Sequence, residues 1–242
     1  MVIESKDNKR IKYIKKLMLN KYISEEKKFI IEGKHLVNEA YLSGILLETY
    51  STSDEDFGVP NTIITEDVMK YLTNMKSSSS VIGVCKFCEE KKYGNKIIVL
   101  DDVQDPGNVG TIIRSSVSFD FDTIVLSMNS VNKYNDKLIR ASQGMLFKTN
   151  VITKNTSDFI TELKQNGYLV YATDVTNGTL ANSVKKEEKL AIVMGNEGTG
   201  VSNKIKELCD KNIYIPINKN CESLNVAVAA SIIMYEINKG SE

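Results

Sequence analysis

LDDVQDPGNVGTIIR, residues 100–114, passes from an apolar run through a polar loop into a helical pattern. The apolar run KIIVL, residues 96–100, leads into it and reads as a buried strand. Four carboxylate or amide side chains follow, then the turn signal Pro106-Gly107, then Asn108. Gly110 and Thr111 open a helical pattern that carries Ile112, Ile113 and Arg114. The loop therefore lies between the carboxyl end of a strand and the start of a helix. In open α/β sheets that is where ligands bind, and N–H groups at a helix start favour anions. With the helix opening at Gly110, Arg114 is expected about one turn in, reaching back over the loop. The same residues would also serve an ordinary strand–helix connection, so two further loops carry the weight.

Gly195-Asn196-Glu197-Gly198-Thr199-Gly200 follows the apolar run LAIVM, residues 190–194. Three glycines in six residues let a backbone approach a ligand closely. No Gly-Lys-Ser/Thr follows, which excludes a P-loop, and the order G-x-x-G-x-G late in the chain is not the dinucleotide fingerprint. On glycine pattern alone a cofactor loop and a tight turn both remain open. Glu197 would repel phosphates and suits a ligand with hydroxyls or positive charge. The third loop, INKNCESLN at residues 217–225, leads into the Ala-rich helical run VAVAASIIMYEI. Ser223 is its expected N-cap, and the amides of Leu224 and Asn225 are expected to line a pocket. Ala227, Ala229, Ala230 and Ser231 permit close packing of another backbone or of a partner subunit.

Around these loops the chain alternates apolar strands with amphipathic helices, the pattern of an α/β protein. The 242 residues suffice for two small domains. The polar stretch CEEKKYGN, residues 88–95, is the expected linker. It divides the chain into 1–94, a small α/β binding module, and 95–242, a domain of strand–helix repeats. The unalternated runs at 168–173 and 190–194 suit a parallel sheet covered on both faces. Residues 7–19 place Ile11, Ile14, Leu17 and Met18 at helical spacing, with Ser5 or Asp7 as N-cap. The serine run 77–80 reads as a flexible loop.

With 31 basic and 31 acidic residues the chain carries no global field that announces nucleic acid. Charge is uneven, however: residues 1–28 hold nine Lys or Arg against four acidic residues. A basic helix face with Lys9, Arg10, Lys12, Lys15 and Lys16 fits RNA, and it equally fits a solvated surface. No apolar run approaches a membrane span and the N-terminus lacks a signal core, so a cytoplasmic location is expected. Cys85 and Cys88 form a C-x-x-C inside a strand-like run, without a second pair at zinc spacing and with His35 as the sole histidine. No metal is expected, and the cysteines read as reduced thiols.

Taken together, DPGNVGTIIRSS, IRASQGM, IVMGNEGTGVS and IPINKNCESLNVAVAAS resemble the SpoU (TrmH) family of RNA ribose 2′-O-methyltransferases in the SPOUT superfamily. The motifs occur in the family's order within residues 96–237. NKRIKYIKKL, FIIEGKHLVNEA and VIGVCKF resemble the family's ribosomal-protein-like substrate-binding domain. The resemblance implies S-adenosylmethionine as methyl donor, a ribose 2′-hydroxyl as acceptor, a parallel sheet with a deep trefoil knot, and a homodimer that buries the cofactor. It implies RNA as partner, with 23S ribosomal RNA favoured and tRNA, or an inactive RNA-binding or ribosome-assembly protein, as alternatives. By motif position it assigns Asn108, Arg114, Glu197, Ser223 and Asn225 to catalysis. Gly195, Asn196, Gly198, Ile215 and Leu224 fall to the cofactor, held largely by backbone, and Arg114 to a site that a second subunit completes. The chain departs from the family pattern at Asp120, where glycine is common, and at Met145, where alanine is.

Overall fold

Strand β6 (Lys96–Leu100) is buried from Ile97 to Leu100 and lies inside a parallel sheet, as its unbroken apolar run requires. The computed structural model describes residues 2–73, 79–184 and 187–239. Of the serine run, Ser77 and Ser78 lie outside the described residues. Before β6 come β1 (Val2–Ile3), α1 (Lys9–Lys16), α2 (Asn20–Glu26), β2 (Lys28–Glu32), α3 (Lys34–Leu42), β3 (Leu46–Ser51), β4 (Asn61–Ile64), α4 (Glu66–Leu72) and β5 (Val81–Lys86). After it come α5 (Pro106–Ser118), β7 (Thr123–Leu126), α6 (Asp136–Ser142), β8 (Asn150–Thr153), α7 (Thr156–Gln165), β9 (Leu169–Thr173) and β10 (Thr179–Leu180). The chain ends through β11 (Leu190–Met194), α8 (Asn203–Leu208), β12 (Lys211–Tyr214) and α9 (Val226–Lys239).

The chain divides into two compact units. One holds residues 1–89 and 134–147, the other 90–133 and 148–242. In the first, a mixed sheet of order β1-β4-β3-β5-β2 packs Tyr50, Ile64, Ile82 and Val84 against Ile11, Ile14 and Leu17 and against Val68, Met69 and Leu72. Helix α1 opens at Lys9 with Asn8 as its cap, since the Asn8 side chain accepts the Arg10 N–H at 2.9 Å; Ser5 and Asp7 do not fill that role. Residues 134–147 join this unit through Tyr134. Its ring stacks on Phe87 and Phe29 at 4.0 and 4.6 Å between centroids, and its hydroxyl accepts the Cys88 N–H at 2.9 Å. Cys85 is buried, and none of the four cysteines forms a disulfide.

The second unit is a seven-stranded sheet, every pair parallel, in the order β10-β12-β9-β11-β6-β7-β8. The expected linker residues carry no helix or strand, and from Lys91 onward they are bonded to this unit: Lys91 to Asn150, Asn95 to Asp122, Tyr93 to Glu162. Ile97, Val99, Ala191 and Val193 pack with Phe159, Ile160 and Leu163 of α7 and Ile205 of α8. The alternate residues face the other side, where α5 and α9 pair through Ser115 Oγ and Ser231 Oγ at 2.7 Å. Ser231 thus does what its size allows, bringing two helix backbones close. Leu100 pairs with both Met194 and Leu126, so β6 and β11 end side by side and release their loops together.

Two helix starts differ from expectation for the same reason. Helix α5 opens at Pro106 rather than Gly110, because the Asp105 carboxylate accepts the Asn108 N–H at 2.9 Å and proline suits the first helical turn. Helix α9 opens at Val226, capped by Asn225 and not Ser223: Asn225 Oδ1 accepts the N–H groups of Ala227 and Val228 at 2.9 and 3.3 Å. The short elements β1, β8, β10, α2 and α8 carry too few residues to show a period.

Ile97 is fully buried in the centre of the larger sheet. Ile97→Ala is expected to lower unfolding stability by about 2–5 kcal/mol, read from the denaturant midpoint. A loss under about 0.5 kcal/mol would contradict this account of the core.

Candidate active site

Three loops meet at the carboxyl edge of the parallel sheet. Gly195 begins the second because nothing larger fits: a Cβ there would lie 2.1 Å from the backbone of Gly200 and Val201. Gly200 closes the same loop with φ +67°, a left-handed conformation that favours glycine. Its N–H donates to the Asn196 carbonyl at 2.9 Å. The Asn196 side chain is committed to the loop, accepting from Gly198 N at 2.9 Å and donating to the Asp102 carbonyl at 2.8 Å. The loop is therefore a rigid, self-bonded platform fastened to the strand end beside it.

The first and third loops are fastened to it by one carboxamide. Asn108 Nδ2 donates to Glu197 Oε1 at 3.1 Å, and Asn225 Nδ2 donates to Asn108 Oδ1 at 3.0 Å. Glu197 also accepts the backbone N–H groups of Asp105 at 3.1 Å and Gln104 at 3.4 Å. Burial raises the Glu197 pKa, but the bonds from Asn108, from its own backbone and from Asp105 and Gln104 outweigh that and hold it below the usual carboxylate range. Glu197 thus stays ionised as the anchor of the junction. The sequence shows an acid in a glycine loop; the structure shows that its partners are N–H groups.

Between the second and third loops lies a cavity of about 560 Å³, within the range of small-molecule sites. It gathers Gly195, Asn196, Glu197, Gly198, Ile215, Ser223, Leu224 and Asn225, eight of the ten residues expected at the catalytic and cofactor positions. Met194, Ile217 and Ile233 supply apolar wall, and glycine backbone supplies open N–H and C=O groups. That mixture fits S-adenosylmethionine: apolar surface for a nucleobase, backbone amides for its edges, and carboxylates for a cation. Asp174, at the end of β9, and Lys206, on α8, also line the cavity and pair at 2.6 Å. Burial opposes the ionisation of Asp174, yet Lys206 and the N–H groups of Thr176 and Asn177 hold its pKa at about 2. The sequence reading missed this pair; its one signal was a carboxylate at the carboxyl end of the YAT strand.

Arg114 is placed differently from the expectation. With α5 opening at Pro106 it is the ninth helical residue, more than two turns in rather than one. It is exposed, does not line the cavity, and its guanidinium has no hydrogen bond or ion pair among the described residues. In the other unit, the expected RNA contacts lie on α1 and at its rim. Lys12 pairs with Asp7 at 2.7 Å and Lys15 donates to the Tyr71 carbonyl at 2.7 Å. Lys16 lies over the Tyr22 ring at 5.5 Å, and Lys9 and Arg10 are exposed. The described residues hold no cluster of three metal-ligating side chains, and none of their helices is long and apolar enough to cross a membrane.

Because the Glu197 pKa is lowered on folding, its bonds stabilise the protein above the ordinary carboxylate value and lose that effect as pH falls through the lowered one. Glu197→Gln should therefore be less stable than the parent protein at pH 7. The gap should close as pH drops below about 4, followed by thermal unfolding across pH. A gap that does not change with pH would contradict the anchoring role.

Known proteins resemble this chain over nearly its whole length. Residues 95–235 match the SpoU rRNA Methylase family, and residues 8–83 match the MRM3-like substrate binding domain. The 23S rRNA (guanosine(2553)-2'-O)-methyltransferase RlmP of Bacillus subtilis is 37% identical over 243 residues, covering 97% of this chain and 98% of that protein. The AdoMet-bound rRNA methyltransferase from Sinorhizobium meliloti has a similar structure, with TM-score 0.88, 25% identity, and coverage of 99% of this chain and 97% of that one. The SpoU methyltransferase AviRb from Streptomyces viridochromogenes, solved with AdoMet, shares the fold at TM-score 0.85 and 20% identity, over 97% of this chain and 98% of that one. The chain belongs to the SpoU rRNA methylase family of S-adenosylmethionine-dependent RNA methyltransferases, with the SPOUT fold.

Proposed function

We propose that this protein transfers a methyl group from S-adenosylmethionine to a ribose 2′-hydroxyl of 23S ribosomal RNA. The observation that carries the reading is the junction itself: Asn108 joins Glu197 and Asn225 over a cavity of cofactor size. The full-length likeness to a 23S rRNA methyltransferase supports the substrate class.

When bound, the cofactor supplies an electrophilic methyl on a sulfonium, so the protein's task is mainly to hold donor and acceptor in line. Backbone at Gly195, Asn196, Gly198, Ile215 and Leu224 holds the cofactor. Glu197 fixes Asn108, and Asn108 fixes Asn225, so the three polar groups present one set geometry to the ribose beside Ser223. The 2′-hydroxyl is a weak acid: it gives up its proton to solvent as it takes the methyl, and the negative charge its oxygen gathers as that proton leaves must be stabilised. Arg114 stabilises that charge and grips the neighbouring phosphate. A guanidinium remains protonated at neutral pH, so Arg114 acts as a cation and not as a base.

Arg114 lies outside its own chain's cavity, which supports a homodimer in which each subunit's arginine serves the other's cofactor. Val228 and Tyr235, exposed on α9, support the same arrangement by offering apolar surface beside α5. The strand order, with β11 between β6 and β9 and the third loop folded back on α5 through Asn225, supports threading of the C-terminal segment into a trefoil knot. Residues 1–94 act as the RNA-binding module, to whose compact unit residues 134–147 also belong, and the remainder of 95–242 acts as the methyltransferase domain. Lys9, Arg10, Lys12, Lys15 and Lys16 meet RNA phosphates, which position a substrate without reading its sequence. The enzyme works where ribosomal RNA is made, in the cytoplasm, and uses no metal.

The test is transfer from labelled S-adenosylmethionine to total RNA from cells lacking the protein, with nucleoside analysis. Label in a 2′-O-methylribose of large-subunit rRNA is expected. Label confined to tRNA would replace the substrate, and no label would favour an RNA-binding or assembly role. Arg114→Ala is expected to reduce turnover at least about a hundredfold, the scale of a lost transition-state contact, while calorimetry shows cofactor binding unchanged. Near-parental transfer by that variant would remove Arg114 from the mechanism.

A further inference from the structure

Three carboxylates and one ammonium line the cofactor cavity: Asp174, Glu197, Glu222 and Lys206. Two of the carboxylates are committed. Asp174 is paired with Lys206 at 2.6 Å and accepts the N–H groups of Thr176 and Asn177 at 3.0 and 3.2 Å. Glu197 is committed to Asn108, Asp105 and Gln104. Glu222 is exposed, as Glu197 is, but differs from both in being free of hydrogen bonds and ion pairs among the described residues. The loop that carries it is held on both sides. Cys221 N donates to the Asn218 carbonyl at 2.9 Å, Cys221 Sγ to the Ser223 carbonyl at 3.2 Å, and Asn225 to Asn108 at 3.0 Å.

An uncompensated negative charge at a cofactor cavity has a direct consequence for methyl transfer. The donor and its demethylated product share the same adenosine and the same zwitterionic tail. They differ by one methyl group and by the positive charge of the sulfonium, which the product sulfide lacks. We propose that Glu222 is a charge-selecting residue, favouring the sulfonium donor over the neutral sulfide product and so promoting exchange of product for fresh donor. This rests on the cofactor reading given above. Asp174 cannot do the same work, because Lys206 cancels it, and Glu197 already meets a ring of N–H groups. For an exposed carboxylate a few ångströms from a cation, the preference is about three- to tenfold.

The test is titration calorimetry on the full chain with three probes. These are S-adenosylmethionine, S-adenosylhomocysteine, and sinefungin, whose amine carries positive charge near the place of the sulfonium. Glu222→Gln is expected to weaken both cationic probes about three- to tenfold and to leave S-adenosylhomocysteine unchanged. Glu222→Asp should keep part of the preference, and added salt should erode it in the parent protein. Equal weakening of all three probes would mean that Glu222 shapes the loop, and would overturn the proposal. So would unchanged binding of all three, including the case where turnover falls while binding holds, which would assign Glu222 to the chemical step. A parent protein that binds none of the probes would refute the cofactor reading itself, and the proposal with it.

Discussion

The carboxamide of Asn108, in the first loop, bonds to both of the later loops at once. It donates to Glu197 and accepts from Asn225, residues 89 and 117 positions away in the chain. An amide can do this because it offers a donor and an acceptor on one planar group. A carboxylate here would repel Glu197, and a hydroxyl lacks the span. Asn225 uses its remaining oxygen to cap α9, so the same chain of bonds that closes the junction also starts the last helix. Local structure and site are therefore one construction: the cap, the loop and the cavity wall share atoms.

That construction depends on the sheet beneath it. Parallel strands release all their carboxyl ends on one edge, and the pairing of Leu100 with Met194 sets the first two loops side by side. The buried faces of β6 and β11 keep that edge rigid, with α7 and α8 on one side and α5 and α9 on the other. Gly195 adds a steric condition, since the loop crosses its own backbone where a Cβ would stand. The cavity is thus preformed by bonds within the protein, which spares part of the ordering cost of binding. Its charge is arranged by the same kind of bonds: Asp174 is paired with Lys206, Glu197 is held ionised by N–H groups, and Glu222 has no partner among the described residues.

Much of this was legible in the sequence because the elements are long and periodic. The apolar runs at 96–100 and 190–194 can be little else than covered parallel strands, and glycine spacing marks the loop after the second. The helix starts were misread where a side-chain cap, and not hydrophobic period, decides. Asp105 moves the start of α5 back to Pro106, and Asn225 takes the cap that Ser223 was expected to supply. That shift of four residues turns Arg114 from a residue over its own loop into one on an exposed helix face. Asp174 and Lys206 were invisible for a different reason: they meet through the parallel register of β9, β11 and β12 and share no local pattern. Glu222 lay within a recognised motif, but only the commitments of its neighbours single it out.

If the bonds of Asn108 to Glu197 and Asn225 hold the second and third loops around a cofactor site, the ligand lies in the cavity between those loops. A crystal structure of the full chain with S-adenosylhomocysteine tests it most directly. Density for the ligand is expected between residues 195–200 and 215–225, with the Asn108 bonds to Glu197 and Asn225 intact. Ligand bound elsewhere on the chain, or a junction that breaks to admit it, would contradict the account.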